Sequence, residues 1–266
     1  MVEPIKVISI QSENAAYTCR EIAGYTGDQL GIPTEFVEDI SWQEREQWLD
    51  AGRAHLGWIC GLPYVWKADR EPSPIELVAA PVMQHPRYGG RPVYYSDVIV
   101  RRDSEYNDFA DLRGATWAYN EPHSQSGYNI TRYHLAQLGE SKGYFGRVVE
   151  AGSHLRALEM VLDHRIAASA VDSTVLELEL KARPELKMEL RVIASLGPSP
   201  IPPWVVSRKA PPELREAIRH VFWQMHETAE GRAILERGLI KKMARVEDRD
   251  YDPIREMARI ADQVVL

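Results

Sequence analysis

Between Trp117 and Tyr128 the chain reads Trp117-Ala118-Tyr119-Asn120-Glu121-Pro122-His123-Ser124-Gln125-Ser126-Gly127-Tyr128, a strand-like start that empties into a hydroxyl-rich turn and then a helix. Ser124 or Ser126 can be the N-cap of that helix, and the N–H groups of any first helical turn have no partner inside the helix. Those donors, the positive end of the helix dipole and two serine hydroxyls form a place for an anion. Gly127 lets the anion approach the backbone closely. A tetrahedral oxyanion fits such a turn. Plain capping accounts for one serine; the second serine, the glycine and the strand-to-helix position favour binding.

A second junction of the same kind, Glu150-Ala151-Gly152-Ser153-His154, precedes a helical row of Leu155, Leu158 and Leu162. If Ser153 caps, His154 stands in the first turn at the same edge of the sheet as the serine turn. A ring N–H there can donate to an oxyanion; the other reading is a packing or surface histidine. Asp172 follows the apolar segment 167–171, and Thr174 with Glu177 has capping-box spacing, which would leave Asp172 spare. A carboxylate beside an anion repels it unless it accepts a proton from the ligand or pairs with a ligand ammonium. Asp172 would therefore select a monoprotonated oxyanion or an amino-bearing ligand. Trp58, Tyr64, Tyr94 and Tyr95 are core aromatics or line the site, the tyrosines with their hydroxyls, and alternation along a strand lets one of Tyr94 and Tyr95 face the site.

No nucleophile elbow, His-Glu-x-x-His, phosphate-binding Walker loop or dinucleotide fingerprint occurs. The expectation is a binding protein without catalytic residues, cofactor or metal.

The elements that must position these residues alternate. β-rich runs at 5–10, 35–37 and 55–59 are interleaved with amphipathic stretches near 14–30 and 42–51, the mark of an α/β protein with a largely parallel sheet. A β-like run at 93–101 reads as a first crossover. A second α/β series occupies 116–171, and after 188–194 the stretch Gly197-Pro198-Ser199-Pro200-Ile201-Pro202-Pro203 breaks regular structure and reads as a second crossover. The residues from 211 on are mainly helical and are expected to pack on the first lobe. The organisation predicted is two α/β lobes with a ligand cleft between them: lobe 1 from residues 1–94 and 204–266, lobe 2 from 95–203.

The composition is that of an ordinary globular protein: 266 residues, 44% hydrophobic and 27% charged. A net charge of −7 argues against a nucleic-acid groove, so an anion has to be held by local groups. No run approaches the roughly 18 apolar residues of a membrane span. The N-terminus lacks the features of a secretory signal, so the expectation is an extracytoplasmic chain if a leader was removed and a cytoplasmic one if Met1 is the native start. Cys19 and Cys60 are read as free, buried thiols in preference to a disulfide.

In order and spacing, Asp111-Leu112-Arg113-Gly114, the Pro122–Tyr128 turn, Ala151-Gly152-Ser153-His154, Ala170-Val171-Asp172-Ser173 and Tyr94-Tyr95-Ser96 resemble the phosphate/phosphonate/phosphite-binding (PhnD-like) substrate-binding proteins of ABC importers. The resemblance runs from Ile5 to Leu239. It implies a type II periplasmic-binding fold in which Ser124, Ser126, Gly127 and Tyr128 cradle the phosphoryl oxygens, His154 donates, and Tyr94 and Asp172 line the opposite side. Two places depart from the family pattern: His164-Arg165-Ile166-Ala167 lacks an acidic residue, and Asp39-Ile40-Ser41-Trp42 lacks the usual aromatic, for which Trp42 can substitute. The function implied is capture of a small phosphorus oxyanion by lobe closure, with a membrane permease as partner and a monomer or weak dimer as the working form. The alternatives are a cytoplasmic enzyme of the same fold, of the menaquinone or thiamine-pyrimidine precursor type, and a ligand sensor without a transporter.

Overall fold

A computed structural model describes residues 3–266. Its strands are β1 (Ile5–Ser9), β2 (Thr34–Phe36), β3 (Leu56–Trp58), β4 (Ile75–Met83), β5 (Val93–Arg101), β6 (Thr116–Tyr119), β7 (Arg147–Glu150), β8 (Ala168–Asp172), β9 (Leu190–Pro200), β10 (Trp204–Ser207) and β11 (Ile240–Ala244). They form two mixed sheets, in the orders β11-β4-β10-β3-β1-β2 and β7-β6-β8-β5-β9. The chain divides into two compact units, one made of the residues up to Val93 with Pro200–Tyr251, the other of Tyr94–Ser199 with Asp252–Leu266.

In the first unit β1 pairs in parallel with β2 and β3, and β10 inserts antiparallel between β3 and β4. The helices Ala16–Leu30, Trp42–Ala51 and Gly61–Ala68 follow β1, β2 and β3, as crossover connections between parallel strands require. Two of these strands are missing from the sequence reading. β4 follows Pro72 and Pro74 and contains Pro81, and β11 is a short strand inside a helical tail. Neither Cys19 nor Cys60 is in a disulfide, as expected, but Cys60 is half-buried where burial was expected. Burial pushes the Cys19 thiol well up.

The second unit holds the candidate residues. β6 pairs in parallel with β7 and β8, while β5 runs antiparallel to β8. All five residues of β8 are buried, which is how a strand covered on both faces reads. One face carries Val98, Val100, Trp117, Ala168 and Ala170 under Ile130, Leu135, Met257 and Val264; the other carries Ile99, Ala118 and Val171 under Leu158, Val161 and Leu176. β9 extends through Pro198 and Pro200, the stretch read as a break. It is an edge strand, where a missing backbone donor is tolerated.

The C-terminal helix Asp252–Ala261 belongs to this second unit, not to the first as residues 204–266 were assigned from sequence. Met257 and the following Val264 complete the core over Ile130 and Leu135, and Arg132 Nε donates to the carbonyl of Val264 at 2.7 Å. The chain therefore passes between the units three times, after Val93, Ser199 and Tyr251, and not at two crossovers.

Trp117 is fully buried, stacked on Phe145 with ring centroids 4.5 Å apart and edge-on to Phe109. Trp117→Ala is expected to lower the unfolding free energy by about 3–5 kcal/mol. Denaturant unfolding checks this, and a loss below about 1 kcal/mol would contradict the packing described.

Candidate functional site

The carboxyl ends of β6, β7 and β8 bring the sequence candidates of the second unit to one edge of its sheet. This is where α/β folds place ligands. After β6, Glu121 Oε2 accepts from the His123 backbone N–H at 2.7 Å and the Glu121 carbonyl accepts from Ser124 N at 3.2 Å, which closes the turn. Ser124 is extended, and its hydroxyl oxygen accepts from Gly127 N at 3.0 Å, so Ser124 and not Ser126 is the cap.

The helix does not begin as an α-helix. Gln125–Asn129 is a π turn, with Asn129 N donating to the Ser124 carbonyl at 2.9 Å and Ile130 N to the Gln125 carbonyl, and the α-helix Ile130–Gln137 follows. Such widened turns occur frequently at functional sites. Ser124, Gln125, Ser126 and Gly127 are all buried here. An ideal Cβ at Gly127 would overlap Asn120 Oδ1 and come within 3.1 Å of His154 Cε1, so this position requires glycine by close approach and not by dihedral angle.

The loop after β7 is stitched to the loop after β6 by two backbone bonds, Ala151 N to the Tyr119 carbonyl (2.8 Å) and Gly152 N to the Asn120 carbonyl (2.7 Å). Gly152, at φ 88°, then turns the chain, and Ser153 caps the helix His154–Leu162 by accepting from Arg156 N. His154 lands against the serine turn. Its Nε2 is 2.9 Å from Ser126 Oγ, which in turn is 3.4 Å from Ser124 Oγ. Desolvation lowers the His154 pKa to about 4, so the ring is neutral at neutral pH and adds no cationic charge.

Asp172, at the end of β8, was expected to be spare. It is instead the N-cap of the helix Ser173–Ala182: Oδ1 accepts from Thr174 N (2.8 Å) and from Thr174 Oγ1 (2.7 Å), so Thr174 does not cap. Burial raises its pKa to about 6 against the lowering effect of the Thr174 contacts, with buried Asp97 adding repulsion. Ser96 of β5 lies opposite Asp172 in the ladder, so their side chains share a face, and Tyr94 lies two residues earlier on that face, fully buried.

Two further predicted residues have side chains engaged by neighbours within their own units. The Tyr128 ring tilts on Tyr119, centroids 4.8 Å apart, with the Arg132 guanidinium over it at 5.0 Å, so Tyr128 is packed by its neighbours while its backbone belongs to the turn. Tyr64 belongs to the first unit, where its hydroxyl donates to Asp248 Oδ1 at 2.7 Å and its ring packs on Tyr251. The structure thus gathers Ser124, Ser126, Gly127 and His154 directly within the second unit.

Sequence reasoning passed over Asn120 and Ser96 as site groups. Ser96 Oγ, Asn120 Oδ1 and His154 Nδ1 are buried without a hydrogen-bond partner among the described residues. The alternation Tyr94-Tyr95-Ser96 would have put Ser96 on the Tyr94 face. Nothing local marks Asn120, whose role depends on how close Gly127 comes. Among the described residues no group of three or more His, Cys, Asp or Glu is placed to hold a metal, and no helix is long and apolar enough to cross a membrane.

The model of the family described as "ABC transporter, phosphonate, periplasmic substrate-binding protein" matches residues 5–251. This chain belongs to that family. It is 29% identical over 174 residues to the phosphonates-binding periplasmic protein of Escherichia coli (strain K12), an alignment spanning 64% of this chain and 51% of that protein, about half its length. Among solved structures, a binding protein component of an ABC phosphonate transporter from Pseudomonas aeruginosa aligns over 98% of this chain and 87% of its own, with a TM-score of 0.86 at 20% identity. PhnD1 from Prochlorococcus marinus, in complex with methylphosphonate, aligns over 98% of each chain with a TM-score of 0.84 at 18% identity. These likenesses establish the two-lobe α/β periplasmic-binding fold. The family and its structural neighbours are substrate-binding proteins.

The two buried titrations oppose each other. For His154 the folded pKa lies below that of the unfolded chain, so protonation favours unfolding and its effect on stability grows worse as pH falls from about 6.5 towards 4. For Asp172 the folded pKa lies above the unfolded one, so its effect is favourable at low pH and is lost as pH rises from 3.8 through about 6. Each is on the order of 3 kcal/mol. Denaturant unfolding of the ligand-free protein between pH 4 and 6.5 is expected to show stability falling with rising pH in His154→Asn relative to wild type, and rising more steeply in Asp172→Asn. Parallel profiles for all three proteins would contradict the assigned burial.

Proposed function

We propose that this chain is the extracytoplasmic receptor of an ABC importer and captures a small phosphorus oxyanion, with an alkylphosphonate such as methylphosphonate as the first candidate. The observation that carries this reading is the run Ser124 Oγ, Ser126 Oγ, His154 Nε2 laid along the start of the helical segment at the carboxyl end of β6. With a neutral His154 donating from Nε2 to Ser126 Oγ, the Ser126 hydroxyl proton is released to point at a ligand oxygen. Ser124 accepts from Gly127 N and likewise keeps its own proton for the ligand. The first-turn N–H groups and the dipole supply the remaining stabilisation, and charge-assisted hydrogen bonds of this kind are the strong ones.

Asp172, Ser96 and Tyr94 fit the other side of the ligand in this proposal. A carboxyl with a pKa near 6 is suited to sharing one proton with a phosphonate oxygen. The ligand then carries one charge when bound, and a fully ionised sulfonate or sulfate, which has no proton to share, is disfavoured. Tyr64 contributes from the first unit, capture proceeds by closure of the two units, the working form is a monomer or weak dimer, and a membrane permease receives the ligand. Family membership supports the permease as partner.

Isothermal titration with methylphosphonate, 2-aminoethylphosphonate, phosphate, phosphite, sulfate and small carboxylic acids tests the proposal, together with Ser126→Ala. The expected result is tightest binding of a phosphorus oxyanion, weakened about tenfold or more in Ser126→Ala, the cost of leaving a charged acceptor one donor short. Binding confined to carboxylic acids, or indifferent to Ser126, would overturn it. The affinity should also fall as pH rises past the point where ligand and Asp172 have both lost their protons, and Asp172→Asn should flatten that decline. A profile unchanged by Asp172→Asn would remove the carboxyl from the site.

A further inference from the structure

Gln125 stands between the two serines with none of its surface exposed, a position where an apolar side chain would fill the same space without the cost of desolvating an amide. Its polar atoms are matched one by one. Nε2 donates to Ser199 Oγ at 3.2 Å and to Met257 Sδ at 3.2 Å, and Oε1 accepts from Asn129 Nδ2 at 2.8 Å. Ser199 is also buried and directs its hydroxyl at Met257 Sδ, 3.7 Å away. The three partners come from different places: the far end of the π turn, the end of edge strand β9, and the C-terminal helix.

A planar carboxamide held at its nitrogen by two other segments and at its oxygen by its own turn has little freedom left. Because Gln125 is the first residue of the π turn and its carbonyl accepts from Ile130 N, fixing it fixes the backbone on both sides. Those sides carry the Ser124 and Ser126 hydroxyls. Preorganised donors bind an anion more tightly than donors that must be ordered on binding.

We propose that Gln125 is a positioning residue: through Ser199, Met257 and Asn129 its amide locks the π turn and thereby aims the Ser124 and Ser126 hydroxyls at the bound oxyanion. The inference rests on the phosphonate-binding reading. It assigns Ser199 a part in ligand affinity although no contact between Ser199 and a ligand is invoked.

The test measures methylphosphonate affinity and dissociation rate, and separately the thermal unfolding of the ligand-free chain, for wild type, Gln125→Leu, Ser199→Ala and the double variant. Gln125→Leu is expected to weaken binding about tenfold, mainly through faster dissociation, and Ser199→Ala about threefold. The double variant is expected to bind no more weakly than Gln125→Leu alone, because both changes break the same hydrogen bond. Variants that unfold at lower temperature yet bind within about 1.5-fold of wild type, or whose effects on affinity multiply, would overturn the positioning role. Should Gln125→Leu fail to fold, Ser199→Ala decides alone, since unchanged affinity there overturns the proposal. If wild type binds no phosphorus oxyanion, the functional reading fails and this inference with it; wild-type binding that Ser126→Ala weakens and Gln125→Leu and Ser199→Ala leave alone overturns only the role of Gln125.

Discussion

Two backbone hydrogen bonds, Ala151 N to the Tyr119 carbonyl and Gly152 N to the Asn120 carbonyl, continue the β6–β7 ladder past the ends of both strands and hold two loops at one height. Everything distinctive about the site depends on that continuation. It sets His154 beside Ser126, brings Gly127 onto Asn120 so closely that no side chain fits, and places the first turns of two helices at the same sheet edge. The parallel register of β6, β7 and β8 is what makes such a convergence possible, since only strands running the same way deliver their carboxyl ends together.

The electrostatics follow from burial more than from charge. The imidazole is kept neutral and the Asp172 carboxyl is made reluctant to ionise, both by desolvation. A chain with a net charge of −7 does not attract anions by its overall field. An oxyanion would instead be held by oriented neutral donors in a site with low water content, where each hydrogen bond counts for more than it does in solvent. The same dryness makes errors expensive, which is why the buried amide of Gln125 has a partner for each of its polar atoms.

Much of this was legible in the sequence because its signals are local. A strand, two serines spaced by one residue, a glycine and a helix can be read in a window of twelve residues, and so can Ser153 before His154. What was not legible depended on distant partners or on competition between two good local solutions. Thr174 with Glu177 has capping-box spacing, yet Asp172 caps because its carboxylate reaches both donors of Thr174. The C-terminal helix carries an apolar face that fits either unit by periodicity, and its placement is decided by Met257 and Val264 meeting Ile130 and Leu135. β4 and β9 hid behind prolines whose tolerance depends on a strand's place in the sheet.

A crystal structure of the chain grown with methylphosphonate tests the central claim most directly. The account predicts phosphonate oxygens within hydrogen-bonding distance of Ser124 Oγ, Ser126 Oγ and the N–H groups of the π turn, with Asp172 on the ligand's far side. A phosphonate bound elsewhere, or a serine turn that makes no contact with it, would contradict the account.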